Sequence, residues 1–313
     1  MSEIRQGSNL LPRLPAYEVW PYYLILDTSA SMGDRKLYPN LHDELPIEIL
    51  QRYVEEIISF FQCPPEKFAV KLRDYQQEFG QVPHGPTGGS IALDDLTAVQ
   101  ARIHLSIIAF NSKVSVLRKL SPLDSRKAPP RITLSAAGET NYQAVFSRLC
   151  DLIVSNANQL REAGNVVQRP AVIFFTDGQP QANGRYQWSE NLWGYSHFQW
   201  GNPWLDLQEL GDKLAPGIVS IGIGEANPTN LRAVATPAHG GLALKARAGA
   251  PINVLMLRIM EGIVGSITGT ATGGAFRFPD IPEFERLEGA LGMVTSWGTK
   301  QMPPVPLDRL EKV

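Results

Sequence analysis

Four short apolar runs, set apart by stretches of helical character, constrain this chain more than any other feature. They are residues 22–27 (YYLILD), 103–110 (IHLSIIAF), 171–175 (AVIFF) and 218–224 (IVSIGIG). None of them alternates apolar with polar residues, so each reads as a strand buried on both faces. After Pro46, the residues Ile47, Leu50, Val54, Ile57, Ile58 and Phe61 recur at helical spacing until Pro64 and Pro65 end the pattern. Further helices are predicted over 141–154, 205–214, 228–235 and 253–267, with a weak strand over 241–244. Residues 113–117 follow the second apolar run after only Asn111 and Ser112, which is the spacing of a hairpin. Strands alternating with helices specify an α/β domain with a Rossmann-like, doubly wound, mostly parallel sheet. About six strands are expected, one of them an antiparallel edge, with helices on both faces.

The organisation expected along the chain is an irregular lead-in over 1–20, a domain over 21–270 and an extension over 271–313. Two segments decorate the domain: an insertion over 63–100 and an aromatic-rich loop over 181–204. That loop packs Tyr186, Trp188, Trp193, Tyr195, Phe198, Trp200 and Trp204 together. It reads equally as a set of binding anchors or as a loop that buries its own rings. Hydrophobic residues make up 43% of 313, enough for a sizeable core. Lys+Arg number 29 against Asp+Glu 31, a balance that argues against nucleic acid or an anionic membrane as the partner. No apolar stretch reaches the roughly 18 to 20 residues of a spanning helix, and no signal-like segment opens the chain. A soluble, cytoplasmic protein is expected. Cys63 and Cys150 lack zinc-binding spacing and read as buried free thiols, and the five scattered histidines suggest no role.

The residues that carry chemistry stand at strand ends. Asp27-Thr28-Ser29-Ala30-Ser31 follows the first strand, and Thr176-Asp177-Gly178 follows the strand at 171–175. Between them, Gly138-Glu139-Thr140-Asn141 opens a helix. In a parallel sheet all three loops emerge on one edge, where such folds bind ligands. They offer three hydroxyls (Ser29, Ser31, Thr140) and two carboxylates (Asp27, Asp177), with no nitrogen or sulfur. That donor set selects a hard cation, Mg²⁺ or Mn²⁺. An ion held mainly by hydroxyls keeps much of its charge, and would attract a carboxylate from another molecule.

These elements resemble, in order and in context, the metal-ion-dependent adhesion site of von Willebrand factor A domains. In that family two serines and a threonine coordinate the ion and the aspartates complete the site. The resemblance therefore implies Asp27, Ser29, Ser31, Thr140 and Asp177 as metal residues, with no departure at any of the five. The opening RLP…YYLILDTSASM and the hairpin IIAFNSKVSV are most similar to bacterial TerY-type cytoplasmic proteins of that family. The likeness implies a tellurium-resistance, stress-response or defence setting, with kinase- or phosphatase-like partners. The expected function is thus metal-dependent protein–protein recognition by a scaffold or adaptor, with no catalytic residue.

Two alternatives compete. A Mg²⁺-dependent phosphohydrolase with an aspartyl nucleophile needs Asp-x-Asp, and position 29 is serine, which removes the acid/base carboxylate. In the other, the metal is purely structural and partners bind through the aromatic loop. No phosphate-binding loop or nucleophile elbow occurs in the chain.

Overall fold

The computed structural model describes residues 17–38, 45–62, 67, 70, 102–123, 131–178, 181–182, 185–186, 206–207, 209–211, 214–247, 258–259 and 283–287. The insertion at 63–100, the aromatic loop beyond 186, the helix at 253–267 and most of the C-terminal extension lie outside these residues, apart from the few positions named.

The first apolar run becomes β1 (Glu18–Asp27), which starts four residues before the run and is buried from Val19 onward. β2 (Ile103–Phe110) lies parallel to it along its length. β3 (Val114–Pro122) turns back antiparallel across the hairpin anticipated at Asn111-Ser112. The chain then crosses to the other side of β1. There β5 (Ala171–Thr176), β8 (Gly217–Gly222) and β9 (Ala243–Ala246) add in parallel. β10 (Phe284–Arg286) closes that edge antiparallel to β9. The order β10-β9-β8-β5-β1-β2-β3 is mixed and mostly parallel, as expected, with a second antiparallel edge in addition. The two-residue β4 (Val166–Val167) pairs with the start of β1. A separate two-residue ribbon joins β6 (Gln181–Ala182) to β7 (Arg185–Tyr186).

Pro21 stands inside a central strand, where a missing N–H normally forbids it. On the β4/β5 side the register passes from Val19↔Val167 to Tyr22↔Ala171, so the proline falls in the gap between two short neighbours.

Both faces of the sheet are covered, and the pleat sorts the side chains between them. Tyr22, Leu24 and Leu26 of β1 join a core with Ile47, Leu50, Val54, Ile57 and Ile58 of α1 (Pro46–Gln62). Tyr23 and Ile25 point the other way, against Tyr142, Val145, Phe146, Leu149 and Ile153 of α2 (Tyr142–Glu162). Each such buried apolar side chain contributes about 1.5–3 kcal/mol. On the α2 side Phe110, Tyr142, Phe146 and Phe174 form one aromatic cluster, with Tyr142 meeting Phe174 edge-on at 5.0 Å. α1 begins with Pro at its first position, and Glu48 reaches back to accept from the Leu45 amide at 2.7 Å. α3 (Pro228–Val234) is capped by Asn227, whose side chain accepts from the Thr229 amide.

Several placements differ from expectation. The helix expected over 205–214 is not helical at 209–211, β3 runs to Pro122 after a three-residue turn, and β8 ends at Gly222. Two further differences have a local cause. α2 runs eight residues beyond the predicted end at 154, because Ala157 is the only buried side chain in that last part and the apolar period fades there. β9 begins at Ala243 because Gly241 is spent closing a turn back to the Thr236 carbonyl. Cys150 is a free thiol and half-buried; Cys63 lies outside the described residues. No helix among the described residues is long and apolar enough to cross a membrane.

For the site, the decisive feature of this topology is its reversal. The chain builds β2 and β3 on one side of β1, then β5, β8 and β9 on the other. The switch point is the β1–β5 boundary, and loops leaving the carboxyl ends of those two strands splay apart over a crevice. Asp27 ends β1 and Asp177 follows β5.

Candidate metal centre

Local hydrogen bonding fixes the loop after β1. The Thr28 amide and hydroxyl both donate to the Phe110 carbonyl, at 2.7 and 3.0 Å, fastening the chain to the end of β2. The Ser29 amide then turns back onto Asp27 Oδ1 at 2.9 Å. Ala30–Gly33 forms a 3₁₀ turn that leaves the Ser29 and Ser31 hydroxyls 3.0 Å apart.

Thr140 is delivered by a helix cap. Asn141 accepts from the Ala144 amide and starts α2, so Thr140 precedes the first turn in non-helical backbone. Its loop is stitched to the first one: Ala30 N–H donates to the Gly138 carbonyl and Ala137 N–H to that of Thr28. The Glu139 amide donates to Ser112 Oγ, which ties the same loop to the β2–β3 hairpin.

Asp177 lies across the crevice. Ser31 Oγ donates to its Oδ1 at 2.8 Å, over 146 residues of sequence. Tyr38 donates its phenolic O–H to Oδ2 at 2.9 Å. Asp27 Oδ2 meanwhile accepts from Thr176 Oγ1 at 2.6 Å, and Thr176 in turn accepts from Tyr142 at 3.2 Å.

The five oxygen-bearing residues named from sequence are thus brought together. Asp27, Ser29, Thr140 and Asp177 are buried and Ser31 is half-buried. Gly178 gauges how tightly they gather. A methyl group built on its Cα would stand 3.0 Å from Thr140 Oγ1 and 3.9 Å from both Asp27 Oδ2 and Ser31 Oγ. Any side chain at 178 would therefore invade the oxygen cradle.

The electrostatics are those of an acceptor-rich pocket. Burial, and then the neighbouring charge of Asp177, push the Asp27 carboxyl from 3.8 up to about 7, against the hydrogen bonds from Thr176 and Ser29. Burial likewise raises Asp177, opposed by its bonds from Ser31 and Tyr38. Tyr38 is held well above the usual phenol range, by burial first and then by Asp177, and so remains a neutral donor. Two buried carboxylates that repel each other and are held only by hydroxyls and amides leave lone pairs and negative charge for a cation to satisfy. Oxygen-only donors suit Mg²⁺ or Mn²⁺ over a soft metal. Among the described residues no group of three or more His, Cys, Asp or Glu is gathered, so hydroxyls are indispensable to the donor set.

Tyr38, Thr176, Tyr142 and Gly178 were not among the residues anticipated for the site. Thr176 and Gly178 stand in the strand-end motif around Asp177, which names them without a role; Tyr38 and Tyr142 carry no local signal.

No family model matches the sequence, and no curated protein does. Solved structures do resemble the chain. One is the von Willebrand factor type A protein from Catenulispora acidiphila, with 14% identity and TM-score 0.45, covering 80% of this chain and 43% of that one. Another is proximal thread matrix protein 1 of the mussel byssus with a zinc-occupied MIDAS motif, with 15% identity and TM-score 0.40, covering 81% and 49%. A third is the ArnB paralog VWA2 from Sulfolobus acidocaldarius, with 13% identity and TM-score 0.41, covering 79% and 45%. The chain spans less than half the length of each of these three proteins. These are likenesses in the course of the chain at low identity, and the chemistry of the site stands on its own geometry.

Proposed function

We propose that this chain is a metal-dependent protein-recognition module. Asp27, Ser29, Ser31, Thr140 and Asp177 hold one Mg²⁺ or Mn²⁺ ion, and a partner protein completes its coordination with a carboxylate. The observation that carries this reading is the cradle around Gly178, where hydroxyls and carboxylates from three loops converge at the switch point of the sheet. When bound, the ion would supply a localised positive charge open to an anionic ligand. The chain's own part is to preorganise the oxygens. Asp27 orders the β1 loop through the Ser29 amide, the cap at Asn141 sets Thr140, and Ser31 links the first loop to Asp177.

Recognition requires no bond to break, and the site holds no second carboxylate at position 29 to shuttle a proton. We therefore assign no catalytic residue. The wider reading is a scaffold or adaptor in a bacterial cytoplasmic stress-response or defence system. It rests on the sequence resemblance to TerY-type proteins. We enlarge the domain expected at 21–270 to take in the start of β1 at Glu18 and the edge strand β10, with the segments at 63–100 and 181–204 as decorations.

The test is calorimetric titration of Mg²⁺ and Mn²⁺ into wild type and Asp27→Ala, followed by capture of partners from cell extract with Mg²⁺ or with chelator. Wild type should bind one ion and retain a partner only with Mg²⁺, while a folded Asp27→Ala should do neither. Equal metal affinity in the two proteins would falsify the assignment. Partners retained regardless of metal, alongside a metal-raised melting temperature, would instead make the ion structural.

A further inference from the structure

Among the described residues, Tyr38 reaches the candidate site from outside the three loops and bonds directly to a proposed metal residue. It follows a 3₁₀ turn, Arg35–Leu37, whose start is capped by Asp34 accepting from the Lys36 amide at 2.9 Å. The turn closes with the Tyr38 amide donating to the Arg35 carbonyl, which aims the ring back over the sheet. The ring packs against the α1-side core, so its position is set by apolar contact as well as by its hydroxyl.

Beneath it lies the loop after β8. That loop is fixed by the Ile223 amide donating to the Thr176 carbonyl and the Ala226 amide to that of Ile223. Gly224 sits there at φ +53°, and a Cβ on it would stand 2.8 Å from the Tyr38 hydroxyl. Only glycine both adopts this backbone without strain and leaves room for the phenol.

The Tyr38 bond has a consequence for Asp177. With Ser31 donating to Oδ1 and Tyr38 to Oδ2, both carboxylate oxygens are engaged by hydroxyl donors. Asp27 differs, because its donors, the Ser29 amide and Thr176, belong to its own strand end and the neighbouring strand. Asp177 is instead held from a turn 139 residues away.

We propose that Tyr38 is a positioning residue that restrains Asp177, keeping its carboxylate turned to the hydroxyls so that it acts on the cation through Ser31 rather than as a direct ligand. This rests on the metal-site reading above. The restraint leaves the ion less neutralised by the protein, which favours a carboxylate from a partner. The β8 loop takes part by giving the phenol its seat at Gly224.

The experiment uses Mn²⁺ as the probe, with the full chain as wild type, Tyr38→Phe and Gly224→Ala. Affinity is read by titration, and the number of waters on bound Mn²⁺ by water-proton relaxation. Tyr38→Phe keeps the ring and removes only the donor. It should raise Mn²⁺ affinity roughly tenfold, the order expected when a charge-assisted hydrogen bond to a competing ligand is released. The bound-water number should fall by one as Asp177 replaces a water. Gly224→Ala, which displaces the phenol without altering it, should change both readings in the same direction. A merely structural tyrosine would lower the melting temperature and leave the hydration number unchanged, and that result overturns the proposal, as does an unchanged or lowered affinity in Tyr38→Phe. If wild type itself binds no Mn²⁺, the metal-site reading fails first and the Tyr38 proposal falls with it.

Discussion

The two ends of the sheet both bury ionisable side chains, and they treat them oppositely. Toward the amino end of β2, Arg118 of β3 (opposite Ile107) is buried, yet its guanidinium reaches back to donate to the Leu105 carbonyl at 3.2 Å and the Pro122 carbonyl at 3.1 Å. His104, opposite Pro122 in the hairpin, is held neutral by burial and by the Arg118 charge. Donors there meet backbone acceptors. At the carboxyl end, about 20 Å along β2 from His104, Asp27 and Asp177 share a pocket in which two carboxylates face each other, bonded by hydroxyls and an amide. The Arg118 head group is met within the chain by the Leu105 and Pro122 carbonyls, although Arg102 Nε, just before β2, is buried with no hydrogen-bond partner among the described residues. The carboxylate pocket is one that a cation would complete. Burial alone therefore does not mark a binding site; burial of like-charged groups whose lone pairs exceed their donors does.

The largest effect that tests this contrast is the thermal response to metal. With Mg²⁺ at a hundred times its dissociation constant, the unfolding free energy of wild type should rise by about 2.7 kcal/mol over the chelated protein. Asp27→Asn should show no such rise, while Arg118→Met at the far end should keep it in full. Should Arg118→Met lose the response as well, the two ends are coupled and the contrast collapses. Differential scanning calorimetry of the three proteins decides between these.

A second effect is the pH dependence of the metal-free protein. Asp27 has its carboxyl raised from 3.8 to about 7, so between these values the folded state binds more protons than the unfolded state. Its contribution to stability is present below pH 4 and is lost as pH rises through about 7, at up to about 1.4 kcal/mol per pH unit. Asp27→Asn in chelator should remove that contribution, so its stability relative to wild type should grow as pH rises from about 4 to 7, read as the difference in urea midpoints across the range. A difference that shrinks as pH rises through this window would show that the pocket already holds its own counter-charge.

Much of this was legible in the sequence, and the reason is connectivity. Asp27, Ser29, Ser31, Thr140 and Asp177 lie within a few residues of a strand end or a helix start, so naming the elements placed them together. The continuous apolar runs gave β1, β2, β5 and β8, because strands buried on both faces cannot look like anything amphipathic. β10 and β4 escaped notice because three and two residues are too few to carry a period. The bonds that tune the site escaped for a different cause. Tyr38 to Asp177 spans 139 residues, and Thr176 to Asp27 spans 149. Such contacts follow from how loops pack, and a tyrosine after Lys36-Leu37 carries no local mark of it.

The smallest effect belongs to the amino end and has the opposite sign. His104 is lowered from 6.5 to about 4, by burial first and the Arg118 charge second. The unfolded chain takes up a proton below pH 6.5 that the folded chain refuses. His104 therefore supports the fold above that pH, and its support is lost as pH falls toward 4. His104→Gln should remove this acid-side loss without changing the response to Mg²⁺. In metal-free wild type the Asp27 and His104 slopes oppose each other between about pH 4 and 6.5, so the profile should look flatter than either variant's. Asp27→Asn should then reveal a protein that weakens toward acid, and His104→Gln one that weakens toward neutral pH. If both variants tilt the same way, the two ends of the sheet bury their charges by the same rule, and the distinction between a charge met within the chain and an open site is lost.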